Sequence, residues 1–317
     1  MDSEDKIGLE VEEHGGTLIV RIRGGRHALL YPSMAVELAT IVDRADKDPA
    51  VHAVVFTGVH PERFLSHADI TWLQEGGVGF PPINTRVAAL VFRSATAINK
   101  VPGLRSVLGK TKLRTLLQLD SLHATFIKMN RSGTIFIAAL NGSALAIGAE
   151  FAWACDVRIM AEGDYSIGLS EVLLALTPGG GGSQRLTRLI GARHSLSAIL
   201  EGKAFTPAEA LAVGAVDEVV PRDHVLERAV ERAEFLGLRA KKSLGAIKRS
   251  VYFGSTLPLL GGLQFEHAEF LVRDQDPEAQ KRMLGYIDAI EASGDLPLLD
   301  SRIYARSVRE GRIGNYS

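Results

Sequence analysis

Glu150 and Glu171 are the residues of this chain whose surroundings best suit proton chemistry. They stand 21 residues apart, each where an apolar strand-like segment gives way to a loop, and four glycines, Gly179 to Gly182, follow the second. Two carboxyls converging on one water and one substrate face can serve as base and acid once burial and mutual repulsion push their proton affinities apart. An exposed glutamate, with a pKa of about 4.3, is a poor proton donor at neutral pH, so the pair needs a shielded place. Read singly, Glu150 is a helix-start carboxylate that complements the macrodipole, and Glu171 is a loop acid. The glycine run lacks the lysine of a nucleoside-triphosphate loop. Its amides, at a helix start, can face a carbonyl or a bound water.

The elements that must position these residues are legible around them. Thr134 to Leu140 is apolar and closed by Asn141-Gly142, which predicts a buried strand. Small residues from Ser143 lead into a short apolar helix over Phe151 to Cys155. Asp156 to Met160 reads as the next strand, and Pro178 with the glycines introduces a helix carrying Gln184-Arg185-Leu186. Upstream, residues 8 to 13 and 17 to 23 predict two strands around Gly15-Gly16. Met34 to Ala45 predicts a helix, Val51 to Thr57 a buried strand, and Phe64 to Ile70 the entry to a helix ending near Glu75. Downstream, helices are predicted over 194–201, 207–213, 223–236, 239–251, 256–272 and 277–291. Thr206-Pro207 supplies an N-cap and a first-position proline. Residues 295 to 317 have no clear periodicity and read as a tail that packs on a neighbour or stays loose.

The 317 residues suit one large α/β domain with a helical extension, and 46% hydrophobic content supports a sizeable core. With 36 basic and 37 acidic residues, nothing global points to nucleic acid. The single cysteine, Cys155, excludes a disulfide within the chain and suggests a reducing compartment. The acidic start, Met1 to Lys6, does not resemble a secretory signal, and no apolar run reaches the roughly 18 residues of a membrane span. The expectation is a soluble cytoplasmic protein. No metal-ligand cluster or dinucleotide fingerprint is present, so neither a metal nor a redox cofactor is expected.

Between Gly76 and Ser132 the composition changes. No acid lies between Glu75 and Asp120, while Arg86, Arg93, Lys100, Arg105, Lys110, Lys112 and Arg114 are basic. A solvated helix face accounts for such a run; cover over a ligand is the alternative. Leu113, Leu116, Leu117 and Ile127 predict helical packing on one side.

Several short motifs occur together in one order: Ala138 to Glu150, Cys155-Asp156, Gly168-Leu169-Ser170-Glu171, Pro178 to Leu186, then Leu200 to Lys203, Ala208-Glu209-Ala210 and Gly214 to Val220. Through them the chain resembles the crotonase superfamily, also called the enoyl-CoA hydratase/isomerase family, over roughly residues 8–75 and 133–290. The resemblance implies an α/β fold, a spiral of repeated ββα units with a C-terminal helical region. Residues 1–205 would form the core, with an insertion of about 30 to 40 residues within about 77–130, longer than ordinary loops. Residues 206–317 would form the helical oligomerisation region and tail. It also implies an acyl-CoA thioester substrate, with coenzyme A part of that substrate, and a homotrimer or homohexamer.

Carried onto this sequence, the family's catalytic acids are Glu150, which assists water attack at the β-carbon, and Glu171, which moves the α-proton. Its oxyanion-hole amides are those of Ala68 and Ile147; such donors stabilise the enolate oxygen and are often the largest catalytic term. Substrate and CoA contacts fall on Arg26, His27, Ala28, Ser66, His67, Asp69, Ile70 and Gly179. The sequence departs from the pattern at His67 and Ile147, where the family usually has glycine, and at Leu30, where it often has asparagine. A β-branched residue narrows backbone approach to a ligand. The implied reaction is addition of water to a 2-enoyl-CoA. Double-bond isomerisation and C–C hydrolysis are alternatives on the same scaffold, and a non-catalytic acyl-CoA-binding protein is an alternative of another class.

Overall fold

A computed structural model describes residues 6–78, 82–101, 103, 107–111 and 113–313. Arg105 and Lys112 of the basic run, and the last four residues of the tail, lie outside the described residues.

The chain opens with an antiparallel pair, β1 (Ile7–His14) and β2 (Thr17–Gly24), turned at Gly15-Gly16. Helix α1 (Pro32–Lys47) follows, with proline in its first turn. Then the pattern of strand, short strand, helix repeats. The first turn is β3 (Ala53–Gly58), β4 (Arg63–Leu65) and α2 (Ile70–Gly77). Helices α3 (Thr85–Asn99) and α4 (Arg114–Arg131) come before the second turn: β5 (Ile135–Leu140), β6 (Ser143–Leu145) and α5 (Ile147–Ala154). The third is β7 (Val157–Ala161), β8 (Ile167–Gly168) and α6 (Gly182–Glu201). Then come β9 (Ala204–Phe205), α7 (Pro207–Val213), β10 (Glu218–Val220) and the helices α8 (Val225–Gly237), α9 (Lys241–Tyr252), α10 (Leu259–Asp274), α11 (Pro277–Ser293) and α12 (Ser301–Glu310).

The long strands assemble one sheet in the order β1-β2-β3-β5-β7-β10, parallel from β2 onward, and the short strands a second, β4-β6-β8-β9. This is the expected spiral of ββα units. Parallel strands covered on both faces read as continuous apolar runs, and β5 is buried at every position. One face of the large sheet carries Val225, Ala229 and Ala233 of α8. The other faces the main core, where Phe56, Phe64, Phe126 and Phe151 cluster, with Phe151 within 4.8 Å of Phe56 and 5.5 Å of Phe126 between ring centres. Phe151 follows Glu150, so this cluster anchors the helix that carries the first acid.

Of the span expected as an insertion, α4 belongs to the core: Leu117, Leu122, Phe126 and Met129 are buried. Leu117 was an expected packing residue, but Ile127 is 40% exposed. Helix α3 lies against α4, and Asp120 ties the two by accepting from Thr96 Oγ1 at 2.5 Å and Asn99 Nδ2 at 2.7 Å. The described cations of the basic run, Arg86, Arg93, Lys100, Lys110 and Arg114, are exposed, as a solvated face requires. Residues 295–317, without legible periodicity, contain α12. Asp300 accepts from the Arg302 and Ile303 amides, and Gly311 ends the helix at φ 68°. Its large apolar residues are only Ile303, Tyr304 and Val308, too few to reveal a helical period.

Candidate active site

Glu150 is 1% exposed. It reaches from the first turn of α5 to the start of α6, accepting from the Gly180 amide with both oxygens at 2.8 Å and from the Gly182 amide with Oε1 at 2.8 Å. The glycine amides thus hold the first glutamate itself, rather than facing a carbonyl or water as the loop alone suggested. Close packing explains the glycine at 180: a Cβ there would lie 2.4 Å from Glu150 Oε2 and from Ile147 Cδ1. Burial pushes the Glu150 pKa up to about 7, against the lowering effect of the Gly182 and Gly180 amides; the neighbouring Glu171 charge raises it further and Arg185 opposes the rise.

Glu171 opens a short turn of 3₁₀ helix, Glu171–Leu174, capped at Ser170. It is half-buried, and burial raises its pKa while its own amide and that of Ser170 pull it down. Its Oε2 is fully buried and has no hydrogen-bond partner among the described residues. The two acids therefore share a cavity in contrasting states: one held by three amide contacts, the other with an unpartnered oxygen.

The backbone before Glu150 is unusual. Ala146 adopts φ 47°, ψ −120°, the first central position of a type II′ turn, where glycine is favoured. Its amide donates to Gly168 O and its carbonyl accepts from Glu150, both at 2.9 Å, which holds the turn in place. The positive φ therefore falls on Ala146, and Ile147 takes the first helical position without one; its β-branch does not conflict with its backbone. Gly148 packs against the strand that leads to His67: a Cβ there would meet Leu65 O at 1.9 Å. Neither the Ala68 nor the Ile147 amide has an acceptor among the described residues.

A cavity of about 340 Å³ joins these parts. Of the expected site residues, His67, Ala68, Ile70, Ile147, Glu150, Glu171 and Gly179 line it. His67 bonds through Nδ1 to Ala68 O at 2.8 Å. Arg26, His27, Ala28, Ser66 and Asp69 do not line it. Ser66 Oγ donates to His27 O at 2.8 Å and its amide to Ala28 O at 2.7 Å, binding the loop around residue 27 to the Ala68 segment. Asp69 caps α2 by accepting from Thr71. Arg26 opens onto a separate recess of about 290 Å³ with Lys6 and Arg23, and no carboxylate pairs with Arg26 among the described residues. The cavity also has walls that the sequence did not point to: Trp72, Leu73, Leu119, Leu122, Leu174, Leu176 and His123. Leu119, Leu122 and His123 come from α4, whose apolar spacing was legible but whose place beside the two acids was not.

Among the described residues no group of three or more His, Cys, Asp or Glu side chains is placed to hold a metal ion, and no helix is long and apolar enough to cross a membrane.

A family model described as enoyl-CoA hydratase/isomerase matches residues 111–292. The chain is 30% identical over 318 residues to the fatty acid oxidation complex subunit alpha of Idiomarina loihiensis, covering 98% of this chain and 37% of that protein. It is 35% identical over 179 residues to the protein of the same name from Shewanella frigidimarina, covering 55% of this chain and 25% of that one. The chain thus spans well under half the length of these relatives. Among solved structures it is similar to an enoyl-CoA hydratase of Geobacillus kaustophilus HTA426, with a TM-score of 0.72, 26% identity, and coverage of 90% of this chain and 95% of that one. An enoyl-CoA hydratase of Bacillus anthracis gives a TM-score of 0.69 at 25% identity, covering 90% and 96%. With its ββα spiral and the match over more than half its length, this chain belongs to the enoyl-CoA hydratase/isomerase family, the crotonase superfamily.

Proposed function

We propose that this protein adds water reversibly to a 2-enoyl-CoA thioester. The observation that carries the reading is the pair of unlike carboxyls on one apolar cavity, Glu150 held by amides and Glu171 with a buried, unpartnered oxygen. The thioester oxygen lies against the amides of Ala68 and Ile147, and the acyl chain runs along Trp72, Leu119 and Leu122. Ionised Glu150 accepts a proton from the attacking water as its oxygen bonds to the β-carbon. The carbon–carbon π electrons move toward the thioester, whose oxygen gains charge and is stabilised by the two amides. Protonated Glu171 delivers its proton to the α-carbon and the carbonyl re-forms. Glu150 then returns its proton to solvent and Glu171 regains one. No redox cofactor enters, and coenzyme A is part of the substrate. Arg26 supplies positive charge for the CoA phosphates at its recess, where the neighbouring Lys6 and Arg23 are both paired with Glu10. The fatty acid oxidation name of the relatives agrees with an acyl-CoA substrate.

One observation favours a second reading. Glu150 Oε1 already accepts two amides, which leaves less of the carboxylate for a water. If Glu150 acts only as a fixed charge, Glu171 alone moves a proton between carbons and the reaction is double-bond isomerisation. A turnover screen over enoyl-CoA chain lengths with product masses separates the readings. Hydration adds the mass of one water, isomerisation leaves the mass unchanged, C–C hydrolysis gives fragments, and a non-catalytic acyl-CoA-binding protein gives binding without turnover.

A further inference from the structure

The peptide unit between Gly179 and Gly180 is engaged at both ends. Its N–H, that of Gly180, donates to both oxygens of Glu150 at 2.8 Å. Its carbonyl, that of Gly179, bonds to Nε2 of His123. A carbonyl only accepts, so Nε2 carries the hydrogen. His123, the peptide and Glu150 therefore form one series of hydrogen bonds running in a single direction, and bonds in series strengthen one another.

His123 is itself braced. Phe92 of α3 meets its ring edge-on, with centres 5.7 Å apart and planes at 63°. Helix α3 is in turn tied to α4 through Asp120, Thr96 and Asn99, and Asn99 also donates to Leu117 O at 3.0 Å. Helix α3, between the first and second spiral turns, thus reaches through Phe92 and His123 to the peptide that holds the first acid.

We propose that His123 is a positioning residue for Glu150, acting through the Gly179–Gly180 peptide and held in place by Phe92 of α3. Its N–H draws electron density from the peptide, which makes the Gly180 amide a stronger donor to the carboxylate and favours the charged form of Glu150. The other charged or titratable groups facing Glu150 are Glu171 from the following turn and Arg185 from α6; His67 and Glu171 share the cavity with His123. The proposal rests on the reading that Glu150 exchanges a proton in turnover, but its test does not require turnover.

The test is a carboxyl-carbon NMR titration of the full chain labelled with ¹³C-glutamate, the Glu150 signal being assigned by its loss in Glu150→Gln. His123→Leu removes the donor and should raise the Glu150 proton affinity about two- to three-fold, the scale of polarisation of one charge-assisted bond. His123→Gln, whose amide can donate from nearly the same place, should restore the wild-type midpoint. Phe92→Ala should give a smaller shift in the direction of His123→Leu. An unchanged midpoint in His123→Leu overturns the proposal, as does a His123→Gln shift equal to that of His123→Leu. If His123→Leu does not fold, His123→Ala and His123→Asn, whose amide is too short to reach Gly179, give the same comparison with His123→Gln. A chain that hydrates no enoyl-CoA but shows these shifts loses the hydratase reading and keeps this one; hydration without the shifts does the reverse.

Discussion

Glu150 Oε1 lies 2.8 Å from the amide of Gly182, so the first acid rests on the open end of α6. A helix start favours a negative charge, while burial disfavours it. Here burial prevails and pushes the carboxyl pKa up to about 7, within reach of both protonation states at neutral pH.

That balance makes folding stability depend on pH in a defined direction. Below the unfolded carboxyl value of 4.5 both states bind the proton. Between 4.5 and about 7 the folded state binds more protons than the unfolded state, so stability falls as pH rises and levels off above 7. Measured by denaturant unfolding from pH 5 to 8, the stability of wild type relative to Glu150→Gln should fall by up to about 3 kcal/mol, because each tenfold difference in proton affinity between folded and unfolded chain is worth about 1.4 kcal/mol. A difference that stays flat with pH contradicts this account of Glu150.

Ala146 offers a test of stored strain. A non-glycine residue at φ 47°, ψ −120° costs on the order of 1–3 kcal/mol, and the hydrogen bonds on either side hold the turn. Ala146→Gly should raise stability by about 1 kcal/mol, read as a higher midpoint in chemical unfolding, while leaving the acids and the Ile147 amide where they are. A lower midpoint would show that the Ala146 side chain contributes more by packing than the turn costs.

Much of this arrangement is legible in the residues. Continuous apolar runs mark β3 and β5 because parallel strands buried on both faces need no alternation. Thr206-Pro207 marks α7, and the structure has Thr206 capping there with Glu209 reaching back to its amide. The helix expected from 194 and the one opening at the glycines are joined as α6, with a break at Gly191, φ 78° and ψ 160°. What the sequence does not display is long-range. The Glu150 contact with residues 180 and 182 crosses 30 residues, and nothing local announces it. His123 sits in a helix whose apolar face is readable, but the helix's position beside Gly179 follows only from the packing of Leu122 and Phe126 into the core. The separation of Arg26 from the acid cavity, and the helical form of residues 301–310, likewise depend on tertiary packing and on caps rather than on periodicity.

Helix α10 has no buried residue, and Leu259, Leu260 and Phe270 are 79%, 69% and 62% exposed. Apolar surface of that extent marks an interaction face. With the family's habit of assembling through its C-terminal helices, the expected state is a homotrimer or a dimer of trimers. Sedimentation equilibrium at micromolar concentration should return the trimer or hexamer mass; a monomer mass would reject that assembly.

The central claim, that Glu150 and Glu171 together add water to a 2-enoyl-CoA, is tested most directly by turnover in ¹⁸O-labelled water with mass analysis of the product, for wild type, Glu150→Gln and Glu171→Gln. Glutamine keeps the size and a carbonyl acceptor but does not exchange a proton as a carboxyl does. Positioned acid–base groups contribute about 10²- to 10⁴-fold in rate. Wild type should yield a product heavier by one labelled water, and each variant should lose activity by that order while still binding the CoA ester. The double variant should lose less than the product of the two, because both groups serve one transition state. Full hydration by Glu150→Gln, or no incorporation of labelled water by wild type with any chain length, would contradict the claim.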